Sequence, residues 1–420
     1  MSEAVAANGP DHVLPRGFRW GAVRSGIKAS GGLDLAAAVA PRGANAAACF
    51  TQNLVAAAPI AVGRSHLLAT GGRIHAVLIN AGNANCATGP AGLDGCKETC
   101  VAVAETFGCI FDEVFPSSTG IIGVPFPTEK VLRALPELRA ALGDQPEHAE
   151  HFAKAILTTD TQMKLARAII EVDGAEVRIF GAAKGAGMIH PRLGAPVGSS
   201  SVGAGAHATM LVYLFTDLAA KPEDLREILG AVVDRSFNLI SIDGDTSTND
   251  TVLLLASGAS GIAVDGRVRE AFTNALKLVC GSLARHIVED GEGVSHVVTL
   301  LISGAETEAE ARQVAQTIAT SPLCKTAWSS GDPNWGRLLA AAGRSGVPLQ
   351  PERMSITVAG HPVFRAGVRA PEFDEARTHQ AMQAREYTIS IDLGVGNAEC
   401  RFVTCDLTAE YVRINADYST

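Results

Sequence analysis

Two spacings of apolar residues alternate along the chain: a repeat of two, which marks strands, and a repeat of three to four, which marks helices. Residues 75–80 (HAVLIN) read as a short apolar strand, and the Gly/Asn-rich stretch 81–85 after it reads as a loop. Residues 96–107 read as a helix with Val101, Ala104 and Phe107 on one face, and Gly108 is placed to stop it. Residues 114–116 lead into SSTGIIG at 117–123, a small polar turn between apolar flanks that predicts a loop held between buried elements. Residues 169–180 predict a hairpin turning at Asp173 and Gly174. Helices are expected over 222–235, 268–289 and 308–319, and strands over 297–302 and 387–393. Strands and helices interleave throughout, which places the chain in the mixed α/β or α+β class with extensive sheet.

The Gly/Ser-rich stretch GAPVGSSSVGAG at 194–205 has the composition of a flexible linker and is the strongest candidate boundary. Residues 1–17 read as a flexible leader, because they carry Glu3, Asp11 and His12 and lack the apolar core of a signal peptide. The apolar run 210–215 is far short of the roughly 20 residues that a membrane-spanning helix needs.

Composition narrows the function classes. A length of 420 residues suggests two or three structural units. With 35 basic and 44 acidic residues the net charge is −9, which disfavours a nucleic-acid partner. A cytoplasmic enzyme or small-molecule binder fits better. Aromatics are only 5% of the chain, so the core is built from small aliphatics. The nine cysteines include no CxxC pair. Cys86, Cys96, Cys100 and Cys109 could be grouped as a metal cluster, but buried free thiols are the stronger reading and no metal is expected.

The chemistry is less obvious. A Thr at a strand start, as in ATML at 208–211, is ordinarily structural. KGAGMIHP at 184–191 lacks P-loop order, since its Lys precedes the glycines. His207, just ahead of Ala208, reads as a solvated loop residue. Yet polar turns of small residues recur at 236–250, 289–293, 331–337 and 411–420, which suggests one converging pocket.

Read together, NAGNAN (80–85), SSTGIIG (117–123), TTDT (158–161), KGAGMIHP (184–191), ATML (208–211), SFNLISIDGDTSTNDT (236–251), DGEG (290–293), DPNWGR (332–337) and YVRINADYST (411–420) resemble the ornithine acetyltransferases, the bifunctional glutamate N-acetyltransferases of arginine biosynthesis. The likeness runs from about residue 20 to the last residue, in family order.

The resemblance implies an α+β fold of the layered αββα type, shared with self-cleaving aminopeptidases. It implies that the precursor cuts itself between Ala208 and Thr209, giving an α chain 18–208 behind the leader 1–17 and a β chain 209–420. Thr209 would then be an N-terminal nucleophile with its own α-amine as base, an amine whose pKa is near 8. Thr119 and Gly120 would form the oxyanion hole. Lys184 would meet a substrate carboxylate, and Glu292 the side-chain ammonium of ornithine. Thr158 or Thr159, Asn415 and Thr420 would also line the substrate site. DPNWGR reads as structural, with Trp335 buried.

The implied reaction moves an acetyl group from N2-acetylornithine to glutamate through an acetyl-Thr209 ester, without cofactor, with acetyl-CoA as a further possible donor. An α2β2 assembly is implied. Two other classes stay open: an N-terminal-nucleophile hydrolase or aminopeptidase, and an unprocessed amino-acid-binding relative. The chain departs from the family pattern in one place. Residues 192–207 form an insertion before the scissile bond, in place of the family's short connection. Loop-closure entropy rises slowly with length, so the fold should tolerate it.

Overall fold

The structure is a computed structural model that describes residues 5–6, 13–172, 174–198 and 210–417. Ala208, Thr209, His207, Thr420 and Asp173, with most of the expected leader and the later part of the 192–207 insertion, lie outside the described residues.

One nine-stranded sheet contains β1 Val5–Ala6, β2 Arg19–Val23, β3 Leu35–Phe50, β4 Arg73–Asn83, β5 Val114–Ile121, β6 Lys164–Val172, β7 Ala175–Lys184, β8 Leu211–Thr216 and β9 Thr251–Ala256. Its order is β1-β6-β7-β8-β9-β3-β4-β5, with β2 also on β3. The long β3 is the hinge of the architecture. Its first part pairs with β2 and β4, its last part with β9, and the register shifts between Val39 and Ala44. Pro41 and Gly43 fall in that interval, and Gly43 has a φ of +73°. The sheet therefore folds over on itself.

Side-chain alternation then builds four layers. Ala36, Ala38, Val77 and Ile79 from the first half meet Phe180, Tyr213 and Phe215 from the second in one buried cluster. The Trp20 ring sits edge-on against Phe180 and Phe215, 5.9 and 5.4 Å away. The opposite parity of the second half (Ile179, Val212, Leu214, Leu254) faces helices 222–234 and 266–289. The opposite parity of the first half (Ala37, Ala76, Leu78) faces helices 89–107 and 128–140. The result is the expected αββα sandwich. β8 is buried on both faces throughout, which explains its unbroken apolar sequence.

A second sheet contains β10 Val297–Ala305, β11 Ser355–Val358, β12 His361–Arg365, β13 Val368–Arg369, β14 Glu386–Asp392 and β15 Ala398–Cys405, in the order β13-β12-β11-β14-β10-β15. It closes its own core with helices 308–319, 322–329 and 335–343. The two units meet where Ile240 bridges Val403 and the His190 ring approaches Phe402.

Three expected helices lie within two residues of their bounds, with Glu308–Ala319 as expected and capped by a reciprocal Thr307–Glu310 box, but the helix expected over 96–107 begins at Gly89. Four further expectations are corrected. SSTGIIG is not a loop at its start: β5 continues through it to Ile121, because β4 pairs alongside in parallel and Ser118 Oγ donates to Asn80 Oδ1 at 2.6 Å. For the same reason β4 runs on to Asn83, into the expected 81–85 loop. Trp335 is half-buried rather than buried, opening a helix with its ring stacked on Phe364 at 5.4 Å. The described start of the linker is not loose: Gly194 and Val197 donate backbone bonds to Phe50 and Ala48, and Leu193 is pinned by the Asn238 amide. Eight cysteines are buried free thiols and Cys109 is half-buried.

Candidate active site

The site forms where strand ends from both halves of the sandwich meet. β5 brings Thr119 and Gly120, and β7 brings Lys184. β7 pairs antiparallel with β8 so that Lys184 faces Leu211. β8 pairs in parallel with β9 so that Leu211 faces Thr251. Met210 and Asp250 therefore sit side by side, each one residue before its strand. This places Lys184, Met210 and Asp250 at one end of the sheet, and Met210 directly follows Thr209 in the sequence.

Lys184 is the centre of a buried polar network. Its ammonium donates to Thr158 Oγ1 at 2.8 Å and to Thr119 Oγ1 at 3.2 Å, and lies 3.9 Å from Asp160. Lys184, Thr119 and Asp160 are all buried. Burial pushes the Lys184 ammonium down from its usual range, and Asp160 opposes that shift. Burial would raise the Asp160 carboxyl, but Lys184 and Lys164 reverse this and hold it at about 2. The charges continue in alternation: Lys164 bonds both Asp160 (2.6 Å) and Asp290 (2.5 Å). Because Thr119 Oγ1 accepts from a cation, its hydroxyl hydrogen is left to donate elsewhere, polarised for an anionic acceptor.

Gly120 has a φ of +131°, and a Cβ there would lie 2.3 Å from the backbone carbon of Gly82. Only glycine lets β5 pass this close to β4. Asn249 holds the same corner by donating to the Ala84 and Ser118 carbonyls at 2.7 and 2.8 Å.

The other end of the cavity is more exposed. The C-terminal helix Ala409–Asp417 carries Asn415, whose amide donates to Glu292 Oε2 at 2.9 Å. Glu292 N–H donates to the Ala186 carbonyl, and its carboxylate lies over Gly187, where a Cβ would meet it at 2.3 Å. Asp243 ties the two walls together, accepting from the Met188 and Ile189 amides and from the Tyr411 hydroxyl. Burial raises its carboxyl to about 6.

One cavity is lined by Gly120, Thr158, Thr159, Lys184, Glu292 and Asn415, with Ser247 and Met188 beside them. The residues expected in the site are thus brought together wherever they are described, the buried Thr119 through its bond to Lys184. Thr209, Ala208 and Thr420 fall outside the described residues. Sequence reasoning missed Asp160, Asp243, Asn249 and Asp250 as individuals. Each lay inside a quoted motif, but a buried acid among small polar residues carries no spacing signal of its own. No group of His, Cys, Asp and Glu arranged to hold a metal occurs among the described residues. No helix there is long and apolar enough to cross a membrane.

The ArgJ family model matches residues 19–420. The arginine biosynthesis bifunctional protein ArgJ of Thermus thermophilus is 46% identical over 97% of this chain and 99% of its own length. That of Chlorobaculum tepidum is 39% identical over all of both chains. Among solved structures, the ornithine acetyltransferase of Mycobacterium tuberculosis, complexed with ornithine, is 36% identical over 46% of this chain and 100% of that one, with a TM-score of 0.42. The chain belongs to the ArgJ family, whose relatives reported above are named arginine biosynthesis bifunctional proteins.

Proposed function

We propose that this chain cleaves itself between Ala208 and Thr209 and then transfers acetyl groups from N2-acetylornithine to glutamate. The observation that carries the reading is the meeting of Lys184, Thr119 and Gly120 beside Met210, the residue that follows Thr209.

In the precursor, the Thr209 hydroxyl attacks the Ala208 carbonyl carbon. The acyl group shifts from nitrogen to oxygen, and water hydrolyses the ester. Ala208 keeps a carboxylate and Thr209 gains a free α-amine. With a pKa near 8, part of that amine is neutral at pH 7 and serves as the base.

In the transfer, Thr209 Oγ attacks the acetyl carbon and its proton passes to the α-amine. The oxyanion is met by the Thr119 hydroxyl and the Gly120 N–H. Collapse returns the proton to the departing ornithine amine and leaves acetyl-Thr209. The neutral amine of glutamate then attacks this ester and the same steps run in reverse. Lys184 holds a substrate carboxylate, and Glu292, oriented by Asn415, meets the ornithine ammonium. Thr158, Thr159 and Thr420 complete the substrate wall. The reaction uses no cofactor, and the cut chains assemble as α2β2.

Incubation with N2-acetylornithine alone tests the transfer step. One acetyl group should appear on the fragment that begins at Thr209 and disappear when glutamate is added. Acetate released at the same rate with and without glutamate would instead make the protein a hydrolase.

A further inference from the structure

Asp250 is completely buried and unused by the reaction just described. Its Oδ1 accepts the Met210 amide, and its Oδ2 has no partner among the described residues. Further hydrogen bonds tie the neighbourhood together. The Asp250 carbonyl accepts from Thr51 N at 2.9 Å, Met210 C=O accepts from Thr251 N at 3.0 Å, and Thr51 Oγ1 donates to Ser247.

The Met210 amide lies one residue ahead of β8, before the ladder with β7 begins at Lys184 and Leu211. A buried N–H in that place must find a partner outside the ladder, and the Asp250 side chain supplies it. The Met210 nitrogen is the one bonded to the carbonyl carbon of Thr209, so the contact lies one covalent bond from the residue proposed as nucleophile.

We propose that Asp250 is a positioning residue, which fixes the peptide joining Thr209 to Met210 so that the nucleophile keeps one orientation through self-cleavage and transfer. The inference rests on the reading of Thr209 as nucleophile. Burial pushes the Asp250 carboxyl well above its usual range, against the pull of the Met210 amide and of Lys184. The Met210 amide needs only an acceptor oxygen in that place, and a carboxyl supplies one with or without its charge. Asparagine offers the same oxygen in the same place, and alanine offers none.

The test uses the full chain as wild type, Asp250→Asn, Asp250→Ala and Thr209→Ala. Self-cleavage is followed on denaturing gels, kcat and KM are measured on the cleaved protein, and cooperative melting checks the fold. Asp250→Asn should cleave to completion with kcat within about threefold of wild type, the scale of one retained hydrogen bond. Asp250→Ala should cleave slowly and lose ~10²-fold in kcat with KM for N2-acetylornithine unchanged, the scale of a displaced nucleophile. Asp250→Asn as inactive as Asp250→Ala, with both folded, would overturn the proposal by showing that charge is needed. Wild-type behaviour of Asp250→Ala would overturn it as well. If Asp250→Ala does not fold, Asp250→Asn decides alone. A separate failure is visible in the controls: an uncleaved wild type, or a cleaved Thr209→Ala, removes the nucleophile reading and this inference with it.

Discussion

The two ends of the cavity are built differently. At one end, Lys184, Thr119, Asp160 and Asp250 are all buried, and each is held by strands or by a charged neighbour. At the other end, Glu292 is half-buried and its partner Asn415 is exposed on a helix with no buried residue. Under the proposed function, the contrast separates two tasks. Bond making needs groups that do not reorganise as charge develops, so they belong where the fold over-determines them. Recognition of an ammonium needs only a placed carboxylate that substrates can reach and leave. Breaking the first end should therefore lower kcat, and breaking the second should raise KM.

The largest effect is expected at the nucleophile. Thr209→Ala should abolish both cleavage and transfer, and normal cleavage in that variant would refute the assignment. Lys184→Met comes next. It removes the cation that donates to Thr119 and Thr158 as well as the proposed carboxylate contact, so kcat should fall by ~10²–10³, as for loss of an oxyanion donor, and KM should rise with it. A change confined to KM would leave Lys184 a recognition role alone.

Glu292→Gln keeps the shape and removes the charge. KM for N2-acetylornithine should rise roughly tenfold, about 1.4 kcal/mol, with kcat little changed. A kcat loss with constant KM would break the comparison. Asn415→Ala should raise the same KM by only about threefold, because a single exposed hydrogen bond to Glu292 is lost.

The smallest effect is one of stability. The folded Asp160 carboxyl sits at about 2, below its ordinary 3.8, so its contribution is present above the ordinary value and lost as pH falls through about 2. Asp160→Asn should be destabilised at neutral pH, with the gap to wild type closing across that window. A gap that stays constant with pH would contradict the ion-pair account.

Much of this was legible in the sequence, unevenly. Long helices such as Gly266–Glu289 were readable because one face repeats at three to four residues. The chemistry-bearing segments were legible as motifs, and the family resemblance placed Lys184, Thr119, Gly120, Glu292 and Asn415 in one site. Pattern failed where a strand lacks apolar alternation. Ser117, Ser118 and Thr119 look like a turn but form β5, because their register comes from the distant β4. It failed again at Asp160 and Asp250, whose importance lies in what surrounds them in space. The half-burial of Trp335 escaped notice for a related reason, since composition says that an indole packs and not on how many sides.

The central claim is that one translated chain becomes two, with the nucleophile at the new terminus. Intact-mass analysis of the purified wild type, with terminal sequencing, tests it most directly. The account predicts two chains, 1–208 and 209–420, the second opening Thr-Met-Leu-Val. A single chain of 43.5 kDa that still transfers acetyl groups would contradict it.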